Sequence, residues 1–243
     1  AGQRAIQLAN SLGFPRRQAT IHQTMGNYAR DMKGDFREAI AHYTESVRIF
    51  DEIGDLRSST YAKNAHAMAL AVNGDFEDAG PMLDEIQDSY SRLQDHTALA
   101  LTTGNRGAIH LAVDELDEAE TKLWECLNTL STQGLRRGSG YYYAYLGATH
   151  AMQGRSEKAR ELLANAKTAL ENFKVLGADV FLETMQGHIS IGEARTAMRT
   201  GNEAIAQRRL AEASATLEQN LASGQKGVSR FAAKLLEQAI ANT

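Results

Sequence analysis

The chain has little of what most catalytic or secreted proteins carry. It holds one cysteine and two prolines in 243 residues. A lone Cys126 excludes an intramolecular disulfide and any zinc site built on cysteines. Its expected role is a small buried apolar side chain. A reducing, cytoplasmic setting is the expectation. No apolar run approaches a membrane span, and the first twenty residues lack the apolar stretch of a signal peptide, so no membrane partner is expected. There is no basic excess: 26 Lys and Arg against 30 Asp and Glu give a net charge of −4. Direct contact with nucleic acid is therefore not expected. Neither a phosphate-binding loop nor a His-Glu-x-x-His motif occurs. No cofactor or metal is expected.

With only Pro15 and Pro81 to interrupt it, and with abundant Ala, Leu, Glu, Gln, Arg and Met, the chain reads as all-helical. A frame recurs every forty residues: Gly34-Asp35-Phe36 with Ala39, Gly74-Asp75-Phe76 with Ala79, Asp114-Glu115-Leu116 with Ala119, and Gly154 with Ala159. A fixed period of this length marks a helical-repeat solenoid. Gly turns the chain, and the following Ala lets two antiparallel helices approach. Asp35 with Glu38, and Asp75 with Asp78, have the spacing of reciprocal N-caps.

The chain divides on this frame into one single solenoid. A partial unit spans 1–16, repeats span 17–54, 55–94, 95–134 and 135–177, an irregular fifth spans 178–222, and a capping helix spans 223–243. Expected helices run near Arg17–Lys33, Phe36–Ile53, Leu56–Val72, Phe76–Leu93, His96–Ala112, Leu116–Thr132, Arg137–Met152, Ser156–Phe173 and Val228–Ile240. The opening helix has no preceding partner, so the chain reads as a piece of a longer protein. Pro81 implies a kink or a late helix start. From Gly154 to Gly201 the spacing is 47 residues, which implies a lengthened first helix opened by Gly177, with Gly187 and Gly192 as possible interruptions. Phe231, Leu235 and Leu236 are placed to cover the end of the array.

The set Leu146-Gly147, His150, Gly154, Ala159, Leu163 and Ala166 resembles the tetratricopeptide repeat, and Gly107, His110, Ala119, Leu123 and Cys126 trace the same frame. Ala67, Leu70, Gly74, Ala79, Leu83 and Ile86 do so again, while the first unit departs from it at Asn27, Arg30 and Ser46. The resemblance covers 19–219 and is to the long variant found in bacterial signalling and transcriptional regulators, including the sensor arm of the maltose-regulon activator group. It implies a right-handed superhelix of helical hairpins whose first helices line the concave face.

Carried onto this sequence, that face comprises Ile21, Thr24, Tyr28 and Met32, then Tyr61, Asn64, Met68 and Val72. Leu101, Gly104, Ala108 and Leu111 follow, then Tyr141, Ala144, Ala148 and Met152. The surface is apolar with tyrosines and one amide, which suits a peptide or partner helix. Tyr28, Tyr61, Asn64, Met68, Leu101, Tyr141 and Met152 are the expected contact residues. The expected function is a non-catalytic protein- or peptide-binding scaffold in a larger regulatory protein; the partner is a protein segment or another domain of the parent chain. The alternative is a small-ligand sensor using the widened space near repeats three to five. Homo-oligomerisation is left open.

Tyr141, Tyr142, Tyr143 and Tyr145 cannot share one helix face, so some of them pack between repeats. The nearby Arg136-Arg137 pair is too small for a nucleic-acid track. Seven histidines invite a catalytic reading, but His110 and His150 occupy equivalent repeat positions and read as packing residues with local hydrogen bonds. Acidic runs over 75–88 and 114–120 read as solvated outer faces. Arg195, Arg199, Arg208 and Arg209 suit an acidic neighbour.

Overall fold

Left-handed residues punctuate the chain at near-constant spacing. Gly13, Gly34, Gly54, Gly74, Gln94, Asp114, Gly134, Gly154 and Gly201 all have φ between 54° and 100°. From Gly34 to Gly154 each lies twenty residues after the last. At each one except Gly34 a helix ends in a six-to-one hydrogen bond from the following residue, such as Asp75 N to Leu70 O at 3.0 Å and Arg155 N to His150 O at 2.8 Å; after Gly34 the bond reaches one residue further, from Asp35 N to Ala29 O at 3.0 Å. The forty-residue repeat is thus two helices of equal register, each closed by the same turn. Gln94 and Asp114 take the left-handed conformation with a β-carbon, and Gln94 carries no sequence signal for it.

The computed structural model describes residues 2–135, 138–172, 178–222 and 227–243. Its elements are α1 (Gly2–Ser11), α2 (Pro15–Tyr28), a single π-helical turn (Ala29–Lys33), α3 (Phe36–Glu52), α4 (Leu56–Asn73), α5 (Phe76–Arg92) and α6 (His96–Ala112). Then come α7 (Leu116–Thr132), α8 (Ser139–Met152), α9 (Ser156–Asn172), α10 (Ala178–Arg199), α11 (Glu203–Ala222) and α12 (Gly227–Ala241). No strand occurs among the described residues: this is an all-α solenoid of paired helices. The expected helix ends at Arg137 and Phe173, the opening glycine Gly177, the Arg136-Arg137 pair and the stretch 223–226 lie outside the described residues.

Two compact units divide the chain, 1–102 and 103–243, with the division inside α6. In unit 1, α2 and α4 both pack on α3. Ala19 and Ala62 meet Ile49 and Phe50, while Ala29 and Ala65 meet Ala39 and Tyr43. A β-carbon on Gly26 would lie 2.7 Å from the Tyr43 ring. The ring's hydroxyl donates to Asn27 Oδ1 at 2.8 Å, and Ser46 Oγ donates to the Ala19 carbonyl at 2.9 Å. Asn27 and Ser46, which depart from the repeat frame, are therefore hydrogen-bond partners in the helix contact. The π turn has a simple cause: Gly13 to Gly34 is 21 residues rather than twenty, and the extra residue is taken up as a wider turn.

In unit 2 the same devices recur with more bulk. Gly104 lies under Tyr142 and beside Cys126, and Gly107 lies against Leu123. Leu123, Leu146 and Leu170 are fully buried. Ala119 and Ala159, like Ala39 and Ala79 in unit 1, have no exposed surface, as the forty-residue frame requires. The 47-residue interval is a 22-residue α10, continuous through Gly187 and Gly192. Gly192 is where α10 meets α8 backbone to backbone: a β-carbon there would lie 1.8 Å from the Ala151 carbonyl oxygen.

The capping expectations divide. Asp35 accepts from Glu38 N at 3.0 Å, but Glu38 binds Lys33 Nζ at 2.6 Å instead of returning the cap. Asp75 makes no cap, because its carboxylate accepts from Asn73 Nδ2 at 2.8 Å. Asp55 caps α4 through Ser58 N at 3.2 Å. Pro15 opens α2 at a first-turn position, where its missing N–H costs nothing. Helix α5 begins at Phe76, five residues before Pro81, so a late start is excluded.

Candidate functional site: the first-helix faces

The side chains on the first helices present different surfaces in the two units. In unit 1, α2 turns Ala19 and Gly26 into the α3 contact, which leaves Thr24 and Tyr28 on the opposite side. Tyr28 is 56% exposed and Met32 60%, and on α4 Tyr61 is 60% exposed. Lys33 Nζ stands 5.9 Å from the centre of the Tyr28 ring. Asn64 and Met68, one and two turns after Tyr61, are half-buried. The Asn64 Oδ1 atom is buried and has no hydrogen-bond partner. The open surface at this place is the Tyr61 ring, with the half-buried Met68 further along the same helix. Leu101, in the last turn of unit 1, is half-buried.

In unit 2 the corresponding positions are closed. Gly104, Ala108 and Leu111 are buried on α6, and Ala144, Ala148 and Met152 on α8, with Met152 only 3% exposed. Tyr141 is half-buried and meets the Phe181 ring edge-on at 5.1 Å. Of the four clustered tyrosines, Tyr142 and Tyr145 are buried, and Tyr142 donates to Asn105 Oδ1 at 3.2 Å. Tyr143 lines a surface groove with Leu127, Leu135 and Thr168.

What closes the unit 2 face is α10 and α12. Phe181 of α10 packs on Tyr145 at 5.7 Å, and Phe231 of α12 packs on the same ring at 5.9 Å. Leu236 of α12 covers Gly187. His188 is fully buried, and its ring nitrogens face the backbone of Thr184, Met185 and Leu235 without a hydrogen bond of ordinary geometry. Burial pushes its pKa down to about 4, with Arg195 adding in the same direction. Arg195 donates to Asp114 at 2.8 and 3.1 Å, and more weakly to Thr243 Oγ1 at 3.3 Å and the Asn242 carbonyl at 3.4 Å. Sequence reasoning placed Phe231, Leu235 and Leu236 at the end of the array; it gave no hint that Phe231 reaches past α10 to α8.

The remaining chemistry is structural. The Cys126 thiol is buried and its pKa is pushed up to about 12 by desolvation, so it is no nucleophile. His110 bonds Glu115 at 2.5 Å as a local packing residue, but His150, 3% exposed, makes no hydrogen bond and only approaches Glu120 at 3.7 Å. His22 and His42 face each other with Nδ1 atoms 3.1 Å apart. Among the described residues no group of three potential metal ligands forms. The acidic neighbours of the C-terminal arginines belong to this chain: Arg209 pairs with Glu193 at 2.9 Å and Glu212 at 2.7 Å. A groove of about 660 Å³ runs between α9, α10 and α11, but its Arg160 and Arg209 are both held by Glu193. Among the described residues no helix is long and apolar enough to cross a membrane.

Paired helices closed by one recurring turn define an all-α helical-repeat protein of tetratricopeptide-like architecture. No protein-family model matches the chain, and no curated protein matches it. Solved structures do. The apo form of RapI is similar with a TM-score of 0.66 at 11% identity, over 85% of this chain and 85% of that one. A putative kinesin light chain of P. anserina with TPR-like repeats gives 0.53 at 18%, over 88% and 99%. A Rap protein complexed with Competence and Sporulation Factor gives 0.55 at 12%, over 98% of this chain and 65% of that one. At these identities the likeness is one of fold.

Proposed function

We propose that the chain is a protein- or peptide-binding scaffold that works through the first-helix face of unit 1, within a larger signalling or regulatory protein of bacterial type. The observation that carries this reading is the open surface of Tyr28 and Tyr61, with the half-buried Asn64 and Met68 following Tyr61 on the same helix. Tyrosines supply contact area at little entropic cost, and methionine adapts to shape. A helical-repeat neighbour in fold, the Rap protein, was solved with a bound factor, which makes the mode reasonable for this architecture. Leu101 belongs to the same unit, whereas Tyr141 and Met152, covered in unit 2, fall outside the proposed face.

A displayed peptide library selected on the folded chain tests this. Enriched peptides are expected to lose at least ten-fold in affinity for Tyr28→Ala/Tyr61→Ala, with the helical circular dichroism signal unchanged. Peptides that bind the double variant as well as the parent chain would place recognition elsewhere. The small-ligand alternative would use the groove between α9, α10 and α11, and its paired arginines make it the weaker reading.

A further inference from the structure

Charge in unit 1 is sorted by helix. Helices α2 and α4, the first helices of the unit, hold no Asp or Glu and four basic residues, Arg16, Arg17, Arg57 and Lys63. Helices α3 and α5, the second helices, hold nine acidic residues against three basic ones. Helix propensity does not ask for this, since Glu, Lys and Arg are comparable helix formers. The cations therefore stand on the helices that carry the open tyrosines, and the carboxylates on the others.

Two of the four cations are answered within the chain. Lys63 reaches Asp51 at 3.1 Å, and Arg16 reaches Asp55 at 3.1 Å. The second pair ties the start of α2 to the start of α4, so Arg17 and Arg57 stand at the same end of the face. Arg17 meets no carboxylate among the described residues; its guanidinium lies over the Phe14 ring at 5.1 Å. Arg57 makes one long contact, to Asp95 at 3.7 Å, with its side chain 69% exposed. Each arginine begins a stripe along one helix side. Arg17, Thr24 and Tyr28 share a side of α2, and Arg57, Tyr61, Asn64 and Met68 share the matching side of α4, forty residues on. Neither arginine serves its own helix, because the helix dipole opposes a cation in the first turn. Arg17 and Tyr28 are eleven residues apart. That is about 16 Å along the helix, which an extended chain covers in about five residues.

We propose that the partner of the unit 1 face is an acidic, extended protein segment. Its carboxylates meet Arg17 and Arg57, and an apolar side chain about five residues away lies against Tyr28. This rests on the scaffold reading above and adds the chemistry of the partner. The carboxylates of α3 and α5 repel such a segment, which confines it to the first helices. A nucleic acid backbone would need a longer row of cations than these two.

Selection of displayed peptides on the folded chain tests this. The enriched sequences are expected to carry net negative charge, and to lose at least ten-fold in affinity for Arg17→Glu/Arg57→Glu. A carboxylate in the first turn suits the helix dipole, so that variant keeps its circular dichroism signal. Arg37→Glu/Arg92→Glu makes the same change of net charge on α3 and α5, and is expected to leave affinity unchanged at physiological salt. Tyr28→Ala/Tyr61→Ala should weaken the same peptides without changing the sign of charge selected. Neutral or basic peptides that lose affinity in the tyrosine variant overturn the acidic partner and leave the scaffold face standing. Acidic peptides indifferent to both the arginine and the tyrosine variants overturn both readings. An equal loss from Arg37→Glu/Arg92→Glu would mean that net charge, not this face, draws the peptides, and sinks the idea. Single-stranded oligothymidylate that binds as tightly as the peptides, and is lost in the arginine variant, overturns the assignment to a protein segment.

Discussion

Unit 1 and unit 2 build their first-helix surfaces from the same repeat positions and use them in opposite ways. Tyr28 and Tyr61 stand more than half exposed in unit 1, while in unit 2 Ala148 and Met152 are buried and Tyr141 leans on Phe181. Two causes act together: Gly104, Ala108, Ala144 and Ala148 stand in unit 2 where unit 1 has Thr24, Tyr28, Asn64 and Met68, and unit 2 has an added packing partner. A lengthened α10 brings Phe181 and Gly192 onto α8, and α12 adds Phe231 on top. A repeat position thus specifies where a side chain points, and its size together with later segments of the chain decides whether it reaches solvent.

The comparison breaks most readily at the aromatic positions. Phe231→Ala removes a ring that is 2% exposed and should cost about 3–5 kcal/mol of stability. Tyr28→Ala and Tyr61→Ala should each stay within about 0.5 kcal/mol. Urea unfolding followed by circular dichroism measures all three. A tyrosine substitution as damaging as Phe231→Ala would show that the unit 1 face is packed rather than open.

Gly192→Ala is next. The new β-carbon would lie 1.8 Å from a backbone oxygen, so α8 and α10 must separate, at a cost of about 3 kcal/mol. Gly13→Ala is the contrasting control, since nothing lies near its β-position and only its left-handed φ of 65° is strained, about 1 kcal/mol. Equal losses would mean that the close approach at Gly192 adds nothing.

How much of this was legible follows from the range of each interaction. The turns were legible because glycine at a fixed period is a local signal, and the buried alanines at 39, 79, 119 and 159 follow from the same period. Gln94 was hidden, since nothing in a glutamine announces a left-handed turn; only the twenty-residue beat between Gly74 and Asp114 does. Asp75 shares Asp35's sequence context, yet Asn73 diverts its carboxylate. The closure of Tyr141 and Met152 was out of reach from their own helix. It depends on Phe181, on Gly192 and on a C-terminal helix some eighty residues further along.

A pH titration sharpens the closed side. Burial lowers the folded-state pKa of His188 to about 4 from its ordinary value of 6.5. The unfolded chain therefore binds the proton more readily between these values. Stability from this group is complete above about pH 6.5 and is lost as pH falls towards 4, with about 2 kcal/mol gone by pH 5. Because His188 lies against α12, hydrogen exchange of α12 should accelerate over that window more than exchange of α3 in unit 1. His188→Leu should flatten that part of the profile. An unchanged profile would assign the acid loss to other groups, among them His150, whose pKa burial also lowers.

The smallest effects come from the two turns that lack glycine, one in each unit. Gln94 has φ 54° and Asp114 φ 65°, so each holds a β-carbon in a conformation that costs roughly 1 kcal/mol or more. Gln94→Gly should stabilise the chain by about 0.5–1 kcal/mol, the relief exceeding the extra freedom glycine gives the unfolded state. Asp114→Gly gains the same relief but removes the carboxylate that Arg195 holds at 2.8 Å, with the Arg195 side chain only 17% exposed. Its net effect should be near zero or unfavourable. The difference between the two substitutions, read from urea midpoints, therefore measures the Asp114–Arg195 pair. Arg195 also reaches Thr243 and Asn242, so losing Asp114 redistributes the guanidinium towards the end of α12. Asp114→Gly should for that reason slow hydrogen exchange in the last turn of α12, whereas Gln94→Gly should leave it unchanged.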